Sequence, residues 1–419
     1  MIQQNFKNSK VSSTLAINEQ SNHLISQGKQ VYKFGLGQSP FPIPNCVVKE
    51  LKLNAHQKDY LPVKGLPQLR EAISQYYSRI ENLNYSPENV MIGPGSKELM
   101  FLLQLVFDGE VLIPGPSWVS YVPQLKMLNR NYHIIKTSYE NKWLISPQEL
   151  ENWLKKNCDN KKIKLLILNY PNNPCGADYS KSELIEFVPI FRKYNILVLS
   201  DEIYGELNHN GNHMSIANFY PEGTIISSGV SKWCGAGGWR LGVFTFPNEL
   251  LDIQKAMCSG ASETYSSVSA PIQFGSIRAF RGGQEIENYL IHSRKILKSI
   301  GEWVYDQFKN TKVLLHKSEG GFYIFPDFSL YKNQLLKMGI KNSKDLANIL
   351  LEETGVATLP GADFMMPSDQ LILRLAYVNF NGSNALANSM NNKDFLNIDC
   401  QNIINGINAL IKWINKKEK

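Results

Sequence analysis

Between residues 50 and 280, short apolar runs alternate with longer stretches in which apolar residues recur every three or four positions. The short runs predict β-strands, and the longer stretches predict amphipathic helices between them. The predicted strands are 90–92, 110–113, 132–135, 164–168, 196–199, 224–226 and 241–246, and the predicted helices are 97–107, 119–128, 146–156 and 182–193. This alternation predicts an α/β fold with a mostly parallel seven-stranded sheet between helices. In such sheets, ligands bind beside the loops that follow the carboxyl ends of the strands.

The pattern changes after residue 283, where residues 284–308 predict one long amphipathic helix. Strands are predicted at 311–315, 321–325 and 372–377, helices at 343–353 and 401–415, and a surface loop or insertion in the asparagine-rich stretch 379–397. We therefore expect a large cofactor-binding domain over residues 46–283 and a smaller α+β domain over residues 284–419. Residues 1–45, with a predicted short helix near 13–26, are expected to join the smaller domain.

The composition of the 419 residues is that of a globular protein, with 43% apolar and 19% charged residues. The formal net charge is +7, and the basic residues are scattered apart from short lysine clusters at 155–156, 161–164 and 416–417. This distribution does not require a nucleic-acid partner. No apolar run is long enough to span a membrane or to form a signal peptide. The six cysteines lie far apart, without a CxxC pair, at Cys46, Cys158, Cys175, Cys234, Cys258 and Cys400. These features predict a reduced, cytoplasmic protein, and no metal site is predicted.

The stretch 228–242 carries candidate chemistry, because Lys232 stands among small residues and glycines and Arg240 follows eight positions later. A desolvated lysine becomes a nucleophilic amine that forms Schiff bases with aldehydes. An arginine suits a bidentate grip on phosphate. An aldehyde and a phosphate together suggest pyridoxal phosphate, although a glycine-rich loop with two surface cations is the alternative. The Gly35–Gly37 pair lacks the third glycine of a dinucleotide fingerprint, so a Rossmann site is not predicted.

Two further groups follow predicted strands and suit a pyridine ring. Asp201 comes directly after the strand 196–199, and a carboxylate there would keep a ring nitrogen protonated. Tyr204 and Asn173 could both donate to the phenolic ring oxygen. The alternatives are that Asp201 caps a helix and that Asn173 belongs to an ordinary turn rich in Asn, Pro and Gly.

Phosphate and substrate groups also have candidates. Gly95, Ser96 and Lys97 end a strand and open a helix, whose free N–H groups and dipole favour phosphate, or Ser96 is only an N-cap. Trp118 after the next strand could stack on a ring, although a lone tryptophan is more often core. Arg374 lies inside an apolar strand, where a substrate carboxylate or a structural ion pair to an internal acid would offset its burial.

In combination, these motifs resemble the fold-type I, pyridoxal-phosphate-dependent aminotransferases of the aspartate aminotransferase class I/II family. The motifs are Asn-Asn-Pro-x-Gly, Asp-x-x-Tyr, Ser-Lys and Trp-Arg-x-Gly, in this order along the chain. The resemblance extends from about Gly37 to the final helix. It implies a pyridoxal 5′-phosphate cofactor, amino-acid and 2-oxo-acid substrates, and a homodimer with shared active sites.

The resemblance also implies a role for each matching residue. Lys232 would form the Schiff base and shuttle the proton, Asp201 would bind the ring nitrogen, and Tyr204 and Asn173 would bind the ring oxygen. The other implied positions are Gly95, Ser96, Lys97, Ser231 and Arg240 around the phosphate, Trp118 on the ring, Arg374 on the substrate α-carboxylate, Gly37 as a backbone contact, and Tyr60 reaching the neighbouring subunit's phosphate.

Three positions depart from the family pattern. Gly229 stands where many members have a phosphate-binding serine, so that contact would come from Ser231, Ser228 or water, or be absent. Cys175 replaces a threonine, which we expect to be a mild change. The order of a small residue and an aromatic after the lysine is inverted in Trp233-Cys234. None of these changes removes an essential group.

The resemblance implies transfer of an amino group between an L-amino acid and a 2-oxo acid. Residues 262–267 contain no arginine for a distal carboxylate, which weakens strict dicarboxylate specificity, while Trp118, Tyr121 and Tyr265 leave room for an aromatic preference. A lyase or an aminocyclopropane-carboxylate-synthase-like enzyme of the same fold is the main alternative. A non-catalytic cofactor-binding regulator is less favoured, since the thirty-odd residues before Gly37 are too few for a DNA-binding domain.

Overall fold

The computed structural model describes residues 1–7, 11–157 and 162–417, so Cys158 and Lys161 lie outside the described residues. Its helices are α1 Ser13–Ser26, α2 Asn45–Leu53, α3 Pro67–Glu81, α4 Ser96–Val106, α5 Tyr121–Met127, α6 Pro147–Asn157, α7 Lys181–Tyr194, α8 Leu251–Ser262, α9 Ala270–Arg281, α10 Gln284–Phe308, α11 Lys332–Lys337, α12 Ser343–Thr354, α13 Gly382–Met390, α14 Phe395–Asp399 and α15 Gln401–Lys417. None of the helices in these ranges has the length and apolarity that crossing a membrane requires.

A seven-stranded sheet occupies the middle of the chain. Its strands are β2 Val90–Gly93, β3 Glu110–Gly115, β4 Tyr132–Lys136, β5 Lys164–Asn169, β6 Ile196–Asp201, β7 Thr224–Gly229 and β8 Gly242–Thr245. The spatial order is β2-β8-β7-β6-β5-β3-β4, and only the two pairs that involve β8 are antiparallel. The prediction of a mostly parallel seven-stranded sheet is therefore confirmed.

The central strands are mostly apolar because helices cover both faces of the sheet. Successive side chains of a strand point to opposite faces. Leu165 and Ile167 of β5 accordingly pack in one apolar cluster with α4, whereas Leu166 and Leu168 pack in another with α7. This double coverage forces ligands to the open edge of the sheet, at the carboxyl ends of the parallel strands.

Smaller sheets form the C-terminal part. β9 Tyr323–Ile324, β11 Leu359–Pro360 and β12 Leu373–Ala376 make an antiparallel sheet in the order β11-β12-β9. β1 Tyr32–Lys33 pairs in parallel with β10 Val356–Ala357. A strand of the N-terminal segment thus pairs with a strand of the C-terminal part, while the division into domains, with limits at residues 45 and 283, stays a prediction.

Two predictions in the C-terminal part are wrong. Residues 311–315 do not form a strand, because only Leu314 bridges to Asp327, and Pro326 beside it has no N–H for a longer ladder. The stretch 379–397 is not a loop but contains α13 and α14, whose first turns are capped by the side chains of Asn381 and Asp394. The polar residues that suggested a loop cap short helices. Tertiary packing stabilises these helices by burying one face of each.

Candidate active site

The carboxyl ends of the parallel strands open into a cavity of about 550 Å³. The register pairs Asn169 at the end of β5 with Asp201 at the end of β6, and Asp201 with Ser227 of β7. The loop after β7, the segment after β1, and residues of β9, β12 and α1 close the remaining sides. The cavity brings together most of the predicted site residues: Gly37, Ser96, Lys97, Trp118, Asn173, Asp201, Tyr204, Ser231, Lys232, Arg240 and Arg374.

Lys232 lies in the loop after β7. The next residue of the loop, Trp233, is buried in the apolar core. Its Nζ donates a hydrogen bond to the Gly37 carbonyl at 2.7 Å. Burial, together with the charges of Arg374 and Arg240, lowers the pKa of Lys232 to about 8. A pKa of about 8 leaves roughly one-tenth of the amine neutral, and so nucleophilic, at pH 7.

Asp201 ends β6 with its carboxylate buried beside the cavity. Tyr121 donates to its Oδ2 at 2.5 Å, and Ser227 donates to its Oδ1 at 3.3 Å. Burial raises the pKa of Asp201 to about 6, and these hydrogen bonds oppose the rise. Within the described ranges, no ion pair joins this carboxylate to a cation, and the N-cap position of the next helical turn is Tyr204 rather than Asp201. Asp201 is therefore available to a cationic ring nitrogen.

Arg374 of β12 is only 1% exposed and lines the same cavity. Its Nη1 donates to Asn173 Oδ1 at 3.4 Å and its Nη2 donates to the Gly35 carbonyl, while its Nε has no partner. Its guanidinium carbon lies 4.7 Å from the centroid of the Tyr323 ring. No carboxylate of the described residues forms an ion pair with Arg374, so the structural ion pair considered from sequence is not found, and the charge is free for a carboxylate in the cavity.

The phosphate end is formed by the start of α4 and by Arg240. Gly95, rather than Ser96, is the N-cap of α4, with φ +89°. A Cβ at Gly95 would overlap Arg240 Nη2, so the missing side chain lets the guanidinium approach the helix start. Lys97 Nζ lies 5.1 Å from the Trp118 ring centroid. Burial and the Arg240 charge lower the pKa of Lys97.

The geometry around Gly229 explains why no serine stands there. A Cβ at this position would lie 2.7 Å from the Leu241 carbonyl oxygen of the neighbouring strand. Ser231 lines the large cavity, whereas Ser228 lines a separate cavity of about 230 Å³. Of the two serines considered as replacements, the structure places only Ser231 where a phosphate contact can form.

Tyr60 is the predicted residue that lies away from the cavity, with 92% of its surface exposed. Its side chain does not reach the site of its own chain. The role implied for it, contact with the phosphate of a neighbouring subunit, stays a prediction.

Several cavity residues were missed from sequence: Thr14, Leu15, Leu36, Gln38, Asn169, Ile203, Gly237, Gly238 and Tyr323. The hydrogen bond from Tyr121 to Asp201 was missed as well. Tyr121 offered a weak signal, since it is the third residue after Trp118 behind a strand. Thr14 and Leu15 offered none, because α1 is brought to the cavity only by tertiary packing.

The charges of the cavity suit the groups of pyridoxal phosphate. Four cations line it, Lys97, Lys232, Arg240 and Arg374, against the single buried carboxylate of Asp201. A phosphate fits the helix start with Arg240, an aldehyde fits the amine of Lys232, and a ring nitrogen fits Asp201. In the described part of the chain, no cluster of His, Cys, Asp and Glu is arranged to hold a metal ion.

Comparisons with known proteins agree with this geometry. The family model described as aminotransferase class I and II matches residues 29–383. An aspartate aminotransferase of Bacillus sp. (strain YM-2) is 33% identical over 379 residues, covering 87% of this chain and 92% of its own. The asparagine–oxo-acid transaminase of Streptococcus mutans is 32% identical over 376 residues, covering 87% and 91%. The structure of Thermus thermophilus aspartate aminotransferase with maleate superposes with a TM-score of 0.82 at 25% identity, covering 93% of this chain and 98% of that one.

Proposed function

This chain belongs to the class I and II aminotransferases and is a pyridoxal-phosphate-dependent transaminase, and on that premise we propose the residue roles and the substrate class of its site. The predictions of family, fold, enzyme class and cofactor are confirmed. The names of the relatives favour transamination over the lyase and regulator alternatives.

We propose that Lys232 is the catalytic base and the residue to which the cofactor attaches. When bound, the cofactor supplies an electron sink for the bonds of the substrate α-carbon. With the cofactor bound, the neutral amine of Lys232 would take the α-proton of the substrate and later give it back, which its lowered pKa of about 8 permits near neutrality. Asp201 holds the proton on the ring nitrogen, while Tyr204 and Asn173 hold the ring oxygen. Gly95, Ser96, Ser231 and Arg240 bind the phosphate, and Trp118 covers the ring.

The observation that carries this proposal is Arg374, a buried guanidinium in the cavity lining that forms no ion pair with a carboxylate of the described residues. Its free N–H groups suit a bidentate carboxylate. The carbonyl of Gly37, which also lines the cavity, accepts a hydrogen bond from Lys232 Nζ. An amino acid bound through its α-carboxylate at Arg374 would therefore present its α-carbon between the guanidinium and the Lys232 amine.

We further propose an acidic amino acid as amino donor and a dicarboxylic 2-oxo acid as acceptor. Arg240 would bind the phosphate and Arg374 the α-carboxylate, and we assign Lys97, whose Nζ lies 5.1 Å from the Trp118 ring centroid, to a second carboxylate, although sequence reasoning placed it at the phosphate. Four relatives are named aspartate aminotransferase, and the Thermus enzyme is described with maleate, which is a dicarboxylate. The second carboxylate of such a substrate would pair with the ammonium group of Lys97.

The roles of the site residues are tested by single-turnover spectroscopy of purified enzyme. Mixing the holoenzyme with an amino acid should change the visible absorption of the bound cofactor, and Lys232→Ala should abolish that change because no base remains. Lys181→Ala, at an exposed lysine of α7, is the control and should react at the native rate. A Lys232→Ala enzyme that turns over at the native rate would overturn the assignment.

The substrate class is tested with Lys97→Ala and two donors that differ by the second carboxylate. Loss of a charge-assisted contact should lower kcat/KM for aspartate by about 10-fold to 100-fold, since such contacts contribute about 1.5–3 kcal/mol. Alanine, which lacks the second carboxylate, should be affected much less. An equal loss for both donors would place Lys97 at the phosphate, and a native preference for phenylalanine would favour an aromatic substrate class instead.

We also propose a homodimer in which Tyr60 completes the partner subunit's site, because its exposed ring has no contact with its own cavity. Gel filtration should give about twice the 47.5 kDa chain mass. Mixing two weak variants, Tyr60→Ala and Lys232→Ala, should restore activity, since each hybrid dimer contains one site without either change. No recovery in verified hybrids would argue against shared sites.

A cytoplasmic location is proposed as well, consistent with the free thiols of the described cysteines.

A further inference from the structure

Tyr323 lies between two groups with proposed roles, although no role has been given to it. It belongs to the short strand β9, is 1% exposed overall and lines the cavity. Its hydroxyl is 2.7 Å from the hydroxyl of Tyr204, and its ring lies under the guanidinium of Arg374 at 4.7 Å. A Cβ on Gly37 would overlap this hydroxyl, so the glycine provides the space that it occupies.

The position of Tyr323 is held by its surroundings. β9 pairs with β12, which sets Tyr323 opposite Ala376. The Tyr204 ring meets the rings of Phe322 and Tyr323 edge-on, at centroid distances of 5.6 and 5.5 Å. Both phenols are therefore fixed before any ligand binds, and their hydroxyl contact is part of the folded protein rather than a chance rotamer.

The direction of this hydrogen bond follows from counting protons. A phenol has one proton to donate, while its oxygen can still accept. If Tyr204 donates its proton to the ring oxygen of the cofactor, its own oxygen can only accept from Tyr323. Tyr323 must then be the donor of the 2.7 Å contact. A chain of hydrogen bonds polarises its members, so a donor behind Tyr204 strengthens the bond that Tyr204 makes.

We propose that Tyr323 is a positioning residue, which donates its hydroxyl proton to Tyr204 and thereby orients the Tyr204 hydroxyl toward the ring oxygen of the cofactor. The inference rests on the proposed role of Tyr204. Burial raises the pKa of both phenols, so each keeps the proton that this arrangement requires at neutral pH. The Arg374 guanidinium against the Tyr323 ring also links the donor pair to the end of the cavity that binds the carboxylate.

A double-mutant cycle tests the inference, with Tyr323→Phe, Tyr204→Phe and the double variant. Each change keeps the ring, including its packing against Arg374, and removes one hydroxyl. The first readout is the pH at which the visible band of the bound cofactor titrates, and the second is the dissociation constant of the cofactor from the apoprotein. Neither readout depends on turnover.

Tyr204→Phe should raise the midpoint of the titration, because the ring oxygen loses a donor. Tyr323→Phe should raise it less and weaken cofactor binding about threefold to tenfold, the range of one neutral hydrogen bond. The double variant should match Tyr204→Phe alone, since Tyr323 acts through Tyr204. Tyr289→Phe, at a buried tyrosine that does not line the cavity, is the matched control and should behave as the native enzyme.

The outcomes separate the inference from the function on which it rests. No change in Tyr204→Phe would overturn the assignment of Tyr204 to the ring oxygen. A change in Tyr204→Phe with none in Tyr323→Phe would overturn only the role of Tyr323. Additive shifts in the double variant would also overturn it, because they would show that Tyr323 acts independently of Tyr204.

Discussion

Replacing Asp201 by asparagine should stabilise the apoprotein while it removes the catalytic function. The carboxylate is buried without a cationic partner among the described residues, and burial raises its pKa from 3.8 to about 6. Asparagine keeps the shape and the acceptor oxygen for the Tyr121 hydroxyl, but it cannot ionise. The ionised native side chain is thus a cost to folding that its hydrogen bonds offset only in part.

The sign and size of this effect follow from proton linkage. Between pH 3.8 and about 6 the folded state holds a proton that the unfolded state has lost, so the stability of the native apoprotein falls as pH rises through this window. Above pH 6 the full loss is ~3 kcal/mol, from 1.36 kcal/mol for each unit by which the folded and unfolded pKa values differ. Water that enters the cavity reduces this figure, so ~3 kcal/mol is an upper value for the gain in Asp201→Asn.

The assay is urea unfolding of the apoprotein at several pH values between 3.5 and 8, at one protein concentration because a dimer's stability depends on it. The native and Asp201→Asn curves should diverge as pH rises and stay apart above pH 6. Asp108→Asn, at an exposed carboxylate away from the cavity, is the control and should keep the native pH dependence. The holoenzyme form of Asp201→Asn should lose about 10²–10³-fold in turnover, as when one preorganised electrostatic partner is removed. Parallel stability curves would refute the argument that Asp201 is an uncompensated buried charge.

Three other outcomes are expected. Arg374→Lys keeps the charge but loses the forked donor, so KM for the amino acid should rise about tenfold or more in steady-state kinetics, with a smaller loss in kcat. Gly95→Ala should weaken cofactor binding in apoprotein titrations because its methyl displaces Arg240, whereas Gly339→Ala, at a similar φ of +82° with no atom within 4 Å, should not. Uptake of cofactor by the apoprotein should quicken from pH 6 to about 8, as the Lys232 amine loses its proton.

The sequence predicted those parts of the fold that depend on local pattern. All seven strands of the central sheet are found, each near its predicted position, because strands covered on both faces require continuous apolar runs. The long helix α10 has the predicted bounds, since its apolar stripe persists over 25 residues. Candidate site residues such as Asp201 could be placed because they directly follow such strands, where an α/β sheet binds its ligands.

The sequence alone also determined the chemistry available to the protein. An amine, an acid and two arginines stand in short motifs that can be recognised from neighbouring residues. Only the tertiary structure decided which distant groups meet. Lys232 and Gly37 are 195 positions apart, Tyr204 and Tyr323 are 119 apart, and Tyr121 and Asp201 are 80 apart, yet each pair is hydrogen-bonded. Such contacts depend on how whole strands and helices pack, and no local pattern records them. The amine and its acid were therefore predictable, but the partners that position them were not.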